Sequence, residues 1–240
     1  QPAVELYITL EPSLTLPERE DHIVLFIFRC RISTLTQEQI ASGETPEIFA
    51  KARMWERSVQ RKKFCKGREP KALTPNVEGK ATLVTRYIHP LAPPDKLSTP
   101  LQVARFVSVI PFLSDVVTFS GRHDVWTDCQ EFIDIPAGDS EEHAILLCNY
   151  FLHMGGDAYV VLGKGNLDAR AAYVLSKEDD KFILWDASQG YSYAVDDNVC
   201  PLIEVHCVFN GKNLWANIQA HAKPSMMRFD LSNHKDWFPF

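Results

Sequence analysis

Six cysteines, at 30, 65, 129, 148, 200 and 207, and eight histidines are the residues that could supply a nucleophile, a base or a metal ligand. No two cysteines form a CxxC pair, so neither a zinc ligand set nor a dithiol redox pair is expected. His206 and Cys207 are adjacent in an apolar run, LIEVHCVF (202–209). In a strand they point to opposite faces and cannot act together. Cys148 lies well inside a helical pattern on its apolar stripe, where a thiol packs as a small hydrophobe. His143 and His153 flank the same helix and read as surface or helix-end residues. The glycines of GKG (163–165) lack a P-loop spacing and read as a lone glycine loop. A different kind of chemistry is concentrated at 51–71, which holds nine Lys and Arg against two Asp and Glu. Lys51, Arg53, Arg57, Arg61, Lys62, Lys63, Lys66 and Arg68 are the candidate contacts to an acidic partner, the alternative being a solvated helix face.

These residues sit on elements readable from periodicity. Thr45 caps a helix with Pro46 at its first position, and Ile48, Ala52, Trp55 and Val59 form its apolar stripe. Residues 66–80 look like a loop. GKATLVTRYIHPL then reads as a strand entering a bend at Pro90, Pro93 and Pro94. STPLQVARFVSVIPFL reads as a helix capped by Ser98 or Thr99, with Leu101, Ala104 and Val107 inward and Pro111 ending it. HDVWTDCQEFID (123–134) reads as a second helix, with Val125, Cys129, Phe132 and Ile133 inward. DSEEHAILLCNYFLHMGG (139–156) is the clearest helix. Asp139 and Glu142 fit a capping box, Ala144, Leu147, Cys148 and Phe151 form one stripe, and Gly155 and Gly156 stop it. The period then changes to two, with strands at 157–165, 171–177, 181–187 and 202–209 and a turn at Glu178–Asp180. NLWANIQ (213–219) is ambiguous, and the aromatic tail through Trp237, Phe238 and Phe240 should dock. Two β-rich runs, 3–10 and 23–31, open the chain. Helices followed by an antiparallel meander make an α+β domain rather than a doubly wound sheet.

Length and composition agree. With 240 residues, 45% hydrophobic and 23% charged, the chain can bury a core without disulfides. Its thiols are expected to be reduced and intracellular. No apolar run spans a bilayer. The start at Gln1 reads as a piece of a longer chain. The net charge of −6 is uneven: residues 1–100 carry +3, whereas 101–240 hold 10 Lys and Arg against 19 Asp and Glu. No cofactor, metal or nucleic-acid partner is expected.

The run SEEHAILLCNYFLHMGGDAYVVLG resembles transglutaminase-like and papain-like domains, matching at Ala144, Gly155, Ala158 and Gly163. AAYVL and ILWDASQG resemble that family's His-Ala-Trp-Val and Leu-Asp-Pro-Thr strands. The resemblance implies a triad in which a Cys at the N-terminus of the central helix is the nucleophile, its thiol pKa lowered by the helix dipole. Carried over, the nucleophile position falls on Ser140, the His position on Ala171 and the acid position on Asp186. Two of the three are lost, which implies a pseudoenzyme.

Further blocks (VTRYIHPLAPP, RFVSVIPFLSDVVTF, DVWTDCQEFID, CPLIEV and NLWANIQ) are similar to the C-terminal region of the coiled-coil and C-two domain ciliary family, 2A type. This implies a transglutaminase-like domain over 81–240; residues 1–80 read as a linker region with the basic helix, its two β-rich runs forming either a hairpin or the end of a preceding β domain. It also implies a place at the ciliary transition zone and basal body, a role in cilium assembly, and other transition-zone proteins as partners. Charge and fold together suggest a glutamylated tubulin tail as a ligand. Two other readings stay open: an active thiol or serine hydrolase with His206 or His123 brought to Asp186, and a structural domain whose surface docks partners.

Overall fold

The structure, a computed structural model, describes residues 42–119, 122, 124–166, 168–178 and 181–240. The runs at 3–10 and 23–31, Cys30, His123 and most of the turn after Glu178 lie outside the described residues.

Helix α1 (Pro46–Gln60) starts where expected: Thr45 Oγ1 accepts from the Ile48 N–H, and Pro46 holds the first position. Strands β1 (Leu73–Pro75) and β2 (Ala81–Leu83) then form a small antiparallel hairpin. This corrects the loop expected over 66–80 and shortens the strand expected after it, because Val84–Tyr87 turns into a 3-10 helix. Helix α2 (Pro100–Ser108) has Thr99 and Gln102 as a full capping box. It ends ahead of Pro111 and buries Val103, Ala104 and Val107, while Leu101 is exposed, contrary to expectation. After a single turn, α3 (Asp115–Thr118), the expected helix over 123–134 is confined to α4 (Cys129–Asp134). Asp128 caps it in a reciprocal box with Glu131, and the residues before it are extended, with the Trp126 N–H donating to the Pro75 carbonyl. Ile133 therefore faces outward rather than into the core.

Helix α5 (Ser140–His153) is followed by β3 (Asp157–Gly165), β4 (Ala171–Glu178), β5 (Lys181–Asp186), β6 (Tyr191–Ala194), β7 (Leu202–Phe209), β8 (Leu214–Asn217) and β9 (Trp237–Pro239). These seven strands form one antiparallel sheet in the order β6-β5-β4-β3-β7-β8-β9. The α+β class and the meander are as read from the sequence. Strand β6 is new. The GKG segment is the end of β3 rather than a loop.

Both faces of the sheet are covered. Val160, Leu162, Val174 and Cys207 face α5 and the helical side. Val161, Leu175, Val205 and Val208 pack beneath, against Phe229 and Trp237 of the C-terminal segment. Burial on two faces explains why these strands are apolar almost throughout. Helix α5 packs on β3 and β4 and is buried from Glu141 to Phe151. It is therefore a central helix with no solvent face, not one with a single apolar stripe. His143 is wholly buried, which corrects its reading as a surface residue.

The described residues fall in one compact unit that includes α1. Trp55 Nε1 donates to the Pro239 carbonyl at 2.8 Å, and its ring lies 6.4 Å from Phe238 and 6.0 Å from Phe240. The aromatic tail thus docks on the helix that precedes the domain's core in sequence. Trp55→Ala is expected to lower unfolding free energy in urea by about 3–5 kcal/mol, through lost burial and a cavity. A change below about 1 kcal/mol would show that α1 is not integral to the fold.

Candidate functional site

The three positions carried over from the resemblance converge. Ser140, Ala171 and Asp186 line one cleft of about 830 Å³, between the N-terminus of α5, the start of β4 and the turn after β5. Its far wall includes Phe112, Asp115 and Val116.

Ser140 is the first residue of α5. Its hydroxyl donates to Glu141 Oε2 at 2.7 Å. Ala171 pairs with Gly163 across β3 and β4 and presents only a methyl group. Gly163 stands at a bulge against β7, where a Cβ would lie 1.8 Å from the Glu204 carbonyl oxygen, so no other residue fits there. Asp186 has both oxygens engaged. Oδ1 accepts from Ser188 Oγ (2.8 Å) and the Gln189 N–H (3.1 Å), and Oδ2 accepts from the Tyr173 hydroxyl (3.3 Å). Tyr173 is two residues beyond Ala171 on the same strand and hence on the same face of the sheet. It supplies Asp186 with a donor where an active triad would have an imidazole. The sequence contained that period-two relation, but a tyrosine in an apolar strand carries no signal of its own.

No histidine lines the cleft among the described residues. His206 lines a small adjoining pocket, its Nδ1 accepting from the Glu69 N–H at 3.2 Å and its Nε2 lying 3.2 Å from Glu204. Burial holds its pKa below the usual imidazole range. The five described cysteines are buried and free. Burial pushes the Cys148 thiol far up, and Cys207 up to about 12, so neither is a thiolate nucleophile.

Carboxyl groups crowd the α5 N-terminus. Asp139 and Glu142 form the expected reciprocal capping box, and Glu142 Oε1 also accepts from the Thr127 N–H. Asp115 Oδ2 accepts from the Val125 N–H at 2.6 Å. Carboxylate oxygens of Asp115, Asp139 and Glu142 can come within 4.8 Å of one another, a spacing that could hold a cation. Burial, then the neighbouring carboxylates, raises Asp139 and Glu142 well above the ordinary range, and burial pushes Asp115 up to about 6. His143 stands behind them, with Nδ1 2.6 Å from the Asp139 carbonyl and Nε2 3.0 Å from that of Ile110.

The eight basic candidates do not line the cleft. Arg68 is buried, and its guanidinium donates to the carbonyls of Asn217 (2.7 Å) and Gln219 (2.8 Å); it braces β8 and is not a surface contact. Lys51 and Lys62 sit over the rings of Phe240 and Phe238, 4.4 and 4.3 Å from the centroids. Arg53 pairs with Glu56, and Lys63 lies over Phe64. Arg57, Arg61 and Lys66 are exposed and make no ion pair among the described residues.

Comparison with known proteins agrees with this geometry. The family model of the CEP76 peptidase-like domain matches residues 124–240. Human Protein CC2D2B is 40% identical over 171 residues, 68% of this chain and 12% of that protein. Coiled-coil and C2 domain-containing protein 2A of Drosophila melanogaster is 30% identical over 169 residues, 68% of this chain and 13% of that protein. The chain belongs to this coiled-coil and C2 domain-containing protein 2 family. Centrosomal protein of 76 kDa from Xenopus tropicalis, 28% identical over 221 residues, covers 86% of this chain and 33% of its own length. The chain thus spans about an eighth to a third of these relatives. Among solved structures, calcium-bound LapG of Legionella pneumophila is similar at a TM-score of 0.44 and 16% identity, over 61% of this chain and 80% of that one. In this chain the α+β fold brings Ser140, Ala171 and Asp186, the positions carried over from the resemblance, to one cleft. Among the described residues no helix is long and apolar enough to cross a membrane.

Asp115 links this site to pH. Its raised pKa means the folded state holds a proton that the unfolded state releases between pH about 4 and 6. Its contribution is fully present below the unfolded pKa and is lost as pH rises through 6. Asp115→Asn keeps an acceptor for Val125 and removes that loss. The variant is expected to gain about 1–3 kcal/mol over the parent at pH 7.5 and nothing at pH 4, in denaturant titrations at both pH values. Equal differences at the two pH values would contradict the assignment.

Proposed function

We propose that this region is a non-catalytic peptide-binding scaffold domain of a ciliary transition-zone protein, acting with other transition-zone proteins in cilium assembly. One observation carries the reading. The cleft of about 830 Å³ has Ser140, Ala171 and Asp186 on its wall, and where the resemblance implies a Cys and a His it carries a serine and an alanine, with no histidine lining it among the described residues. An unactivated serine hydroxyl is a weak nucleophile at neutral pH, and loss of the base alone costs several orders of magnitude in rate. The Glu141 carboxylate accepts from the Ser140 hydroxyl, and its negative charge opposes deprotonation there. A groove beside a sheet remains suited to an extended peptide.

The competing hydrolase reading needs His206 or His123 at Asp186; that carboxylate is occupied by Tyr173, Ser188 and Gln189, His206 is bound elsewhere, and His123 lies outside the described residues. Treatment of the chain with a fluorophosphonate probe is expected to leave Ser140 unmodified by mass spectrometry. Stoichiometric labelling that disappears in Ser140→Ala would restore the hydrolase reading.

A second reading concerns α1. The exposed, unpaired Arg57, Arg61 and Lys66 favour an acidic ligand there, such as a glutamylated tubulin tail. In an anisotropy titration with that peptide, Arg57→Glu with Arg61→Glu is expected to weaken binding at least about tenfold. Raising salt from about 50 to 150 mM should weaken it as well. Affinity that ignores both changes would rule this reading out.

A further inference from the structure

The cleft that holds the former triad is acidic. Among the described residues, Asp115, Asp124, Asp139, Glu141, Asp168 and Asp186 line it against one cation, Arg170. That cation is already engaged, its Nη1 3.6 Å from Asp124 and its Nε 3.9 Å from Glu69. Lys71, from the adjoining pocket, is also paired with Asp124. Some of the acids serve the fold: Asp139 caps α5, Asp115 holds the Val125 N–H, and Asp186 accepts three hydrogen bonds. Two do not. Glu141 Oε1 and both carboxylate oxygens of the exposed Asp168 have no donor among the described residues. Beside them the wall turns apolar. Phe112 is 53% and Val116 42% exposed, and both line the same cleft. Leu113 and Val117 continue that surface.

Unpaired carboxylates beside exposed aromatic and aliphatic side chains select one kind of ligand. A guanidinium or ammonium group satisfies the acids, a guanidinium by paired charge-assisted hydrogen bonds, and an adjacent apolar residue covers Phe112 and Val116. An acidic tail placed here meets like charge at close range. We infer that the cleft takes a basic peptide segment of a partner protein, with Lys or Arg interspersed with apolar residues. The inference rests on the reading of the cleft as a peptide groove. It separates two surfaces: any acidic ligand belongs on α1, and the cleft takes the opposite charge.

The test is a phage-display selection of random peptides of about 12 residues against the 240-residue chain, in the presence of EDTA, followed by anisotropy with the winning peptide. The pool is expected to enrich Lys or Arg together with apolar residues. Affinity of the winner should fall at least about tenfold in Glu141→Gln with Asp168→Asn, and again in Phe112→Ser, while Arg57→Glu with Arg61→Glu leaves it unchanged or tighter. It should also fall between about 50 and 300 mM salt. Far-ultraviolet circular dichroism checks that each variant is folded. A neutral or acidic pool whose binding is lost in Phe112→Ser would keep the groove and overturn its charge preference. No enriched pool at all would remove the groove reading itself, and the inference with it. Calcium bound in titration calorimetry at micromolar affinity, with displacement of the basic peptide, would assign the acids to a cation instead.

Discussion

A helix buried on every side must have all its polar groups satisfied from within, and α5 is such a helix. Asn149 is wholly buried; its Nδ2 donates to the Tyr87 carbonyl, its Oδ1 accepts from the His89 N–H, and its own carbonyl accepts from Leu91. Glu142 takes the Thr127 N–H, and His143 reaches the Ile110 carbonyl. Each of these bonds ties an irregular stretch to the helix. An unpaired partner left in such a site costs about 1–3 kcal/mol, so the stretches have little freedom to leave. The segments around 87–91, 110–115 and 124–128 are thereby held in place, and two of them wall the cleft. The site is a consequence of how the central helix satisfies its polar groups.

The same helix end decides what chemistry the cleft can do. A helix N-terminus carries partial positive charge, which favours a thiolate when a cysteine stands there. Here Asp139, Glu141 and Glu142 surround the terminus, and the first residue is a serine already donating to a carboxylate. The Glu141 carboxylate offsets the dipole, and no histidine lines the cleft among the described residues. The Tyr173 hydroxyl donates to Asp186, which makes that carboxylate part of the scaffold. The polar groups at this end of the cleft hold the helix terminus and the turn after β5 in place.

Charge follows the architecture, not the sequence clusters. The basic run at 51–71 is one block in the chain, but folding divides it. Arg68 goes into the interior to brace β8, Lys51 and Lys62 lie over the aromatic tail, and only a few cations face outward unpaired. The acids at 115, 124, 141, 168 and 186 are scattered along the chain and gather in one cleft. A run of like charge in sequence says little about a surface until the pairing partners are known.

What the sequence determined by itself was local. The Asp139 and Glu142 box, the Thr45 and Thr99 caps and the strands over 157–165 and 202–209 follow from bonds and periodicities spanning a few residues. Ser140, Ala171 and Asp186, the positions carried over from the resemblance, fall at element ends. Tertiary structure decided the rest. It buried His143 and Arg68, exposed Leu101 and Ile133, and shortened the helix before α5, because which face is inward depends on what packs there. It paired Trp55 with Phe238 and placed Tyr173 against Asp186. These contacts join residues whose separation in the chain carries no pattern, and only the closing of the sheet around α5 brings them together.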